Sequence, residues 1–178
     1  MKKVLSIAAA CLVMAGAANA QQAKSPLYGE IGYTQLKYSA PGLPDAKPGL
    51  VRAIIGYDLH PNLALEGMLG FGVKDDSFNI MGVDVNVKAQ HAYGVFVKPK
   101  INPTKELELF ARVGYTRFKT KVSLLGFSDS GTEGDFSYGA GLNYNITPTT
   151  HIGVDYINYY KKDGAKIDGL TVGVGFRF

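Results

Sequence analysis

Eight charged residues are spread along the chain, and each has apolar, aromatic or glycine residues as both of its neighbours. They are Glu30, Arg52, Glu66, Lys88, Glu108, Arg112, Asp155 and Arg177. Carboxylates mixed with guanidinium and ammonium groups can pair with one another, act as acids and bases, or supply metal ligands. Which of these they do depends on the elements that carry them and on the face that each element presents.

Groups that commonly carry catalysis or bind metals are present, but they are not spaced for either task. Three histidines share no ligand spacing; they are His60, His91 and His151. Ser77 follows Asp76, but no histidine is spaced to activate it. The glycine pairs at 139–141 and 173–175 complete no nucleotide-binding fingerprint. The sequence therefore predicts no catalytic residue, no metal site and no cofactor.

The N-terminus is typical of a secretory signal peptide. Lys2 and Lys3 precede an apolar stretch over 4–15, and the small residues Ala18 and Ala20 predict cleavage after Ala20. An ordinary buried helix is disfavoured because the segment is not amphipathic and ends in a polar break at 21–26. We therefore divide the chain into a signal peptide, 1–20, and one domain, 21–178.

The only cysteine, Cys11, lies in the predicted signal peptide. A lipoprotein cleaved before Cys11 is an alternative, which its very short apolar region disfavours. The predicted mature chain has no thiol, so disulfides and cysteine metal sites are excluded. Its formal net charge falls from +4 to +2 without the two leader lysines, which argues against a nucleic-acid partner.

The rest of the chain divides into eight segments in which apolar and polar or small residues alternate, the pattern of β-strands. The segments are 27–39, 50–59, 63–73, 85–97, 107–118, 136–146, 152–160 and 170–178. Short links at 60–62, 98–105 and 147–150 alternate with longer ones at 40–49, 74–84, 119–135 and 161–169. Outer-membrane barrels have such alternately short periplasmic turns and longer outer loops. We predict an all-β fold, a closed antiparallel up-and-down transmembrane barrel of eight strands.

The two faces of these segments differ in a way that favours a membrane barrel over a soluble secreted carrier. One face is apolar and aromatic, whereas the other holds glycine, asparagine and the eight charges, which would pack poorly in an apolar core. With the apolar face in lipid, the charges line a narrow lumen. Such lumens are normally filled by side chains, so we predict a paired polar plug; rearrangement of the pairs to open a channel is the alternative.

Aromatic residues are placed as two girdles would require. Near the predicted periplasmic strand ends are Tyr57, Tyr144, Phe176 and Phe178, and nearer the outer ends are Tyr33, Phe71, Tyr93 and Tyr115. Tyrosines are also common in strands generally, so this placement supports the membrane interpretation without establishing it.

The last segment has apolar residues at every second position and ends in phenylalanine: Leu170, Val172, Val174, Phe176 and Phe178. This resembles the C-terminal signal that the barrel-assembly machinery reads in outer-membrane barrels. Together with glycine-aromatic strands such as 28–33 and 138–144, the chain resembles the outer-membrane β-barrel-domain family of small eight-stranded proteins, which includes OmpA-type, opacity-type and attachment-type barrels. The resemblance implies location in the bacterial outer membrane, among its lipid and lipopolysaccharide, as a monomer.

The outer connections are the expected functional region, because binding residues are found disproportionately on loops. Apolar residues there are contact candidates for a surface ligand: Phe78, Ile80, Leu124, Leu125 and Phe127. They could equally extend hairpins above the membrane. We predict a structural or surface-interaction, adhesion-like role, with a narrow porin-like channel as the alternative. A small barrel that acts on lipid A would need a nucleophile and a base at one rim, and the sequence offers no such pair.

Overall fold

The structure, a computed structural model, describes residues 25–42, 44–80, 83–124, 127–162 and 164–178. The predicted signal peptide, with Ala18 and Ala20, lies outside the described residues. Within the described ranges, no helix is long and apolar enough to cross a membrane.

The described residues form strands joined by turns. The strands are β1 (Leu27–Ser39), β2 (Gly49–His60), β3 (Leu63–Lys74), β4 (Asp76–Ile80), β5 (Val83–Ile101), β6 (Leu107–Leu124), β7 (Phe127–Asn145), β8 (Thr150–Lys162) and β9 (Ala165–Arg177).

These strands close into one barrel. The order is β3-β2-β1-β9-β8-β7-β6-β5, every pairing is antiparallel, and β3 pairs with β5 to close the sheet. Each pairing within the wall uses the backbone groups that hydrocarbon would leave unsatisfied. The short β4 pairs only with β5, beyond the closed part. The prediction of a closed, eight-stranded antiparallel barrel is confirmed.

Several strands are longer than the alternation predicts. The links predicted at 74–84, 119–135 and 161–169 are largely strand. β6 and β7 pair as far as Leu124 and Phe127, β4 pairs with the start of β5, and β8 and β9 pair as far as Lys162 and Ala165. The turn predicted at 98–105 begins later, because β5 runs to Ile101 with Pro99 opposite Leu63. The turn-forming residues predict links that are longer than the observed ones, because pairing with a neighbouring strand outweighs local turn preference.

The side chains divide by face as predicted. Apolar residues such as Ile55 and Val172 are 60% and 62% exposed, while their inward neighbours Ile54 and Thr171 are buried. So many exposed apolar side chains are expected of a wall in contact with lipid. Ala89 is an exception. Alternation along 85–97 predicts that it faces lipid together with Tyr93, but it is buried in the interior, because an irregularity in the β5–β6 register between Ala89 and His91 reverses the alternation there.

The predicted girdle aromatics are all exposed on the outer surface of the wall. Tyr57 pairs with Leu27 near the periplasmic ends of β1 and β2, whereas Tyr93 and Phe71 lie toward the opposite end of β3 and β5. The two groups therefore flank an apolar band, as interfacial aromatic residues do in membrane barrels.

Candidate functional site: barrel interior and outer rim

Arg112 lies at the centre of an ion network in the periplasmic half of the lumen. Its side chain is fully buried and donates to Glu66 Oε2 at 2.6 Å, Asp155 Oδ2 at 2.7 Å and Glu30 Oε2 at 2.6 Å. Arg52 is bidentate to Asp155, with Nη1 2.9 Å from Oδ1. Carboxylates from three strands, β1, β3 and β8, are thus held by one guanidinium from β6.

Two lysines that the sequence analysis placed in a turn extend the network toward the periplasm. Lys98 Nζ lies 3.1 Å from Glu108 Oε1 and 3.4 Å from Glu30 Oε1. Lys100 Nζ lies 2.6 Å from Asp58 Oδ1 and 3.4 Å from Glu108 Oε2. Both lysines are buried. Continuing the alternation of β5 beyond Phe96 would have placed both on the inner face.

Arg177 completes the network at the periplasmic end. Its Nη1 lies 2.7 Å from Asp58 Oδ2 and donates to the Ser25 carbonyl at 2.8 Å. Among the described residues the network contains five cations and five carboxylates. The cations are Arg52, Lys98, Lys100, Arg112 and Arg177, and the carboxylates are Glu30, Asp58, Glu66, Glu108 and Asp155. The charges balance, as they must where water is largely excluded.

Of the eight predicted lumen charges, seven belong to this network. The backbone of Lys88 lies in β5 opposite Lys121, and its side chain lies outside the described part of the structure. Sequence reasoning missed Asp58, Lys98 and Lys100, and also the neutral partners Tyr28, whose hydroxyl donates to Glu66 Oε1 at 2.6 Å, and Asn143, which donates to Glu108 at 2.9 Å.

Toward the outer side, the interior contains an apolar cluster with buried polar residues such as Thr116, Asn158 and Asp168 beside it. The buried cluster consists of Leu36, Leu50, Ile54, Met68, Ala89, Ala92, Phe96, Phe118, Ile157, Tyr159 and Ile167. Phe118 and Tyr159 make an edge-to-face contact at 5.1 Å between ring centroids. The change is visible along β6 and along β8. Arg112 lies closer to the periplasmic end of β6 than Phe118 does, and Asp155 lies closer to the periplasmic end of β8 than Tyr159 does. We refer to this cluster as the apolar layer.

Two cavities beside the ion network are small, whereas a wider depression of about 1140 Å³ opens at the periplasmic mouth, lined by residues that include Asp58, Lys100, Glu108 and Arg177. One, lined by residues that include Glu30, Arg52, Asn143 and His151, has a volume of about 10 Å³, and a second, below His151, has about 20 Å³. Such volumes hold roughly one water each. The interior is therefore filled by side chains along the ion network and the apolar layer.

No group of three His, Cys, Asp or Glu side chains within the described ranges is placed to hold a metal ion. His60 and His91 are exposed, whereas His151 faces the lumen with Nε2 3.5 Å from Glu30 Oε1. The structure does not bring the three histidines together.

At the outer rim, the predicted contact residues lie in hairpin strands. Phe78 and Ile80 belong to β4, Leu124 ends β6 and Phe127 begins β7; their side chains lie outside the description, as does the whole of Leu125. At the other end of the chain, β9 carries the predicted assembly signal. Its alternate residues Leu170, Val172 and Phe176 are exposed toward lipid and Val174 is half-buried, and Phe178, directly after the strand, is also exposed.

A closed eight-stranded barrel with an apolar outer surface and a filled polar and apolar interior defines an integral outer-membrane protein. The match to known families agrees: residues 6–178 match the family described as outer membrane protein beta-barrel domain, and the chain belongs to that family. The chain resides in the bacterial outer membrane, and its role is structural or in surface interaction.

The curated relatives are named for attachment. The attachment invasion locus protein of Yersinia pseudotuberculosis is 27% identical, with 100% of this chain and 98% of that protein covered. Its namesake in Yersinia enterocolitica is 30% identical over 86 residues, which is 48% of each chain.

Solved structures show the same fold. The crystal structure of Ail, the attachment invasion locus protein of Yersinia pestis, has a TM-score of 0.65 at 24% identity, covering 86% of this chain and 99% of that one. Neisserial surface protein A has a TM-score of 0.69 at 16% identity, covering 88% and 100%.

Proposed function

We propose that this protein is a non-enzymatic, non-conducting attachment barrel that binds sulfated polysaccharide at its outer rim. The names of the curated relatives suggest attachment. Ail of Yersinia pestis has also been crystallised in complex with the heparin analogue sucrose octasulfate. A sulfated glycan is polyanionic, so a site for it requires cations that are exposed and not already neutralised.

The observation that carries the proposal is a group of lysines at the outer hairpin between β8 and β9, which we call the lysine tip. It consists of Lys161, Lys162 and Lys166. Lys161 and Lys162 are exposed, and within the described part of the chain their ammonium groups form no ion pair, although the backbone N–H of Lys161 donates to Asp135 Oδ2 at 3.0 Å. Lys166 lies opposite Lys161, with its Nζ 2.7 Å from Asp168 Oδ2. Two lysines are thus free to bind a sulfate group as point charges.

The filled interior supports the non-conducting part of the proposal. Every cation of the ion network has a carboxylate partner, and the apolar layer lies between that network and the outer rim. An ion that crossed the barrel would have to lose water among these apolar side chains, and the buried polar groups beside them, such as Ser137 and Asn158, are already hydrogen-bonded to protein groups, so the crossing is costly. The barrel thus serves as a rigid mount for its outer hairpins.

Heparin-coated surfaces test the proposal with folded protein in detergent. We expect Lys161→Gln/Lys162→Gln to weaken binding about three- to tenfold, with a smaller dependence of affinity on salt, because two exposed charges are lost. Lys105→Gln, an exposed lysine in a periplasmic turn, is the matched control and should bind like the unmodified protein. Equal binding by all three proteins would overturn the lysine tip as the attachment site.

A further inference from the structure

Three cations lie around the Tyr28 ring at the periplasmic end of the ion network. Lys98 Nζ is 5.1 Å from the ring centroid, Lys100 Nζ is 5.8 Å from it, and the guanidinium carbon of Arg177 is 5.5 Å from it. The face of an aromatic ring carries partial negative charge and attracts each of them. One tyrosine thus brings three positive charges into a small volume, and we call these three residues the mouth cations.

The mouth cations share their closest carboxylates. Asp58 lies 2.6 Å from Lys100 Nζ and 2.7 Å from Arg177 Nη1. Glu108 lies 3.1 Å from Lys98 Nζ and 3.4 Å from Lys100 Nζ. Like charges held this close repel one another, and an anion placed between them would reduce that repulsion.

Lys98 is the least neutralised of the three. It also lies 3.4 Å from Glu30 Oε1 and 3.6 Å from Glu66 Oε1, but the 2.6 Å contacts of both carboxylates are with Arg112. Within the described part of the chain, Lys98 Nζ therefore makes no ion contact shorter than 3.1 Å, although its side chain is only 2% exposed. A buried ammonium needs close compensation of its charge.

The cavity of about 20 Å³ beside His151 is lined by all three mouth cations. His151 Nε2 is buried, has no hydrogen-bond partner among the described residues, and lies 3.5 Å from Glu30 Oε1. Gly175 on β9 leaves room for this imidazole, because a Cβ at that position would overlap it. Glu108 is the one carboxylate among the described residues that line the cavity. Its wall therefore presents mainly positive charge and hydrogen-bond donors.

The cavity lies directly inside the periplasmic mouth. It shares Lys100, Glu108 and Arg177 with the lining of the wider depression of about 1140 Å³. The apolar layer lies farther toward the outer side. A solute therefore reaches the cavity from the periplasm without crossing the barrel.

We propose that this cavity binds one small inorganic anion of the halide class, taken up from the periplasm. A volume of about 20 Å³ admits roughly one particle of the size of a water molecule, so phosphate and sulfate, with four oxygens each, do not fit. The ammonium of Lys98 and the guanidinium of Arg177 donate to the anion through charge-assisted hydrogen bonds. The site lies at the opposite end of the barrel from the lysine tip, so it does not depend on the proposed attachment.

The charge balance of the network couples this anion to His151. Five cations and five carboxylates already balance among the described residues, so a bound anion leaves one negative charge in excess. A histidine that gains a proton between about pH 8 and pH 5 would restore neutrality. We therefore expect tighter binding at about pH 6 than at about pH 8. The charged and titratable groups around this histidine are Tyr28 and Glu30 on β1, Arg52 on β2, Lys98 and Lys100 on β5, Glu108 on β6, Asp155 on β8 and Arg177 on β9.

The chlorine NMR line width of sodium chloride, measured with the folded full barrel in detergent, tests the site. Sodium gluconate, whose anion is too large for the cavity, keeps the ionic strength constant. Unmodified protein should broaden the chloride resonance saturably, and sodium bromide should displace the chloride. We expect Arg177→Gln and His151→Gln each to weaken chloride binding about tenfold at about pH 6, because each removes a charge-assisted donor. His151→Gln should also abolish the dependence on pH.

Lys105→Gln is the matched control. Lys105 lines the periplasmic depression but not the cavity, so this variant should bind chloride within about twofold of the unmodified protein. Heat-modifiable gel migration checks folding; if Arg177→Gln does not fold, His151→Gln and its pH profile decide. Unchanged binding in the cavity variants, or an equal loss in Lys105→Gln, would overturn the proposal and leave only general attraction of chloride to the protein surface.

Discussion

Arg112 shows what one residue does in this interior. Its buried guanidinium donates hydrogen bonds to carboxylates of β1, β3 and β8, so it connects strands that are not neighbours in the barrel wall. Burying an ion pair costs desolvation energy for both partners, and removing one partner leaves an uncompensated charge. Arg112 therefore acts as a crosslink across the lumen.

Replacing Arg112 tests this role. Arg112→Met should lower the free energy of unfolding by about 3–5 kcal/mol, because the carboxylates around it lose their shared cation. Adding Glu66→Gln should recover about 1–3 kcal/mol, since one unpaired charge is then removed. Equilibrium unfolding in urea, with the barrel in a lipid bilayer, measures both values. A double variant as unstable as the sum of the two single variants would contradict the pairing.

Tyr28 and Tyr38, both on β1, differ in the hydrogen bonding of their hydroxyl groups. The Tyr28 hydroxyl donates to Glu66, whereas the Tyr38 hydroxyl is buried at the outer end of β1 without a hydrogen-bond partner among the described residues. The two tyrosines thus occupy opposite ends of the graded interior, one in the ion network and one against the apolar layer.

In the periplasmic half of β7, lipid-facing and lumen-facing residues alternate regularly. Leu142 faces lipid, paired with Leu109 and Val154, while the adjacent Asn143 is buried in the lumen. Ile146 follows the periplasmic end of the strand and is exposed. Depth in the membrane therefore differs between Leu142 and Ile146, although both are large apolar residues that are exposed.

The depth of β7 predicts the cost of a charge. Leu142→Arg should destabilise the barrel by about 1–3 kcal/mol, because the charge lies inside the apolar band between the interface and the bilayer midplane, and Ile146→Arg should cost only about 0–1 kcal/mol near the interface. Urea unfolding in bilayers measures both. Similar costs at the two positions would mean that the membrane does not cover β7 at the height assigned to it.

The connection between β1 and β2 is held by a carboxylate outside the membrane. Asp45 accepts from Ser39 at 2.7 Å and lies 2.9 Å from Lys37 Nζ, beside the backbone bridge between Tyr38 and Ala46. These hydrogen bonds, with Lys37 the larger cause, lower the pKa of Asp45 below its ordinary value. A carboxyl with a lowered pKa stabilises the connection above its unfolded pKa, and that contribution is lost as the pH falls through the folded value.

Acidification should therefore loosen this connection only below about pH 4. A carboxyl NMR titration of Asp45 in the folded protein should give a midpoint below that of an unfolded aspartate. Lys37→Gln should move the midpoint upward, whereas Lys105→Gln, on the periplasmic side, should leave it unchanged. The same midpoint in all three proteins would exclude Lys37 as the cause.

In the whole molecule, charged and apolar side chains are distributed unevenly along the barrel axis. The ion network is concentrated toward the periplasmic side and the apolar layer toward the outer side, although Phe96 lies in the row of Glu66 and the buried Asp168 lies near the outer end of β9. This order is the basis of the proposal that the outer hairpins, and not the lumen, meet the surroundings.

Planar-bilayer recording tests the closed barrel. Protein purified from outer membranes, with folding checked by heat-modifiable migration, should add no discrete current steps to the protein-free baseline, because ions would have to cross the apolar layer. Steps that change when Glu66 or Arg112 is replaced would instead favour the narrow channel. Loss of folding is controlled by the same gel assay on each variant.

The sequence by itself determined the number of long strands, their lipid-facing residues and the location of seven charges in the lumen. These follow from a period of two, which is local to each strand. It gave the wrong ends for β5, β6 and β7, and the wrong face for Ala89, because strand ends and register irregularities depend on the neighbouring strand.

Only the tertiary structure decided which charges meet and that Lys98 and Lys100 complete the network. Closing a barrel imposes a fixed stagger between strands, and this stagger sets which residues lie at one height. Arg112 and Glu30 are 82 positions apart yet 2.6 Å from contact atom to contact atom. Alternation along one strand predicts the face of a residue, but its partners across the lumen follow from closure of the whole sheet.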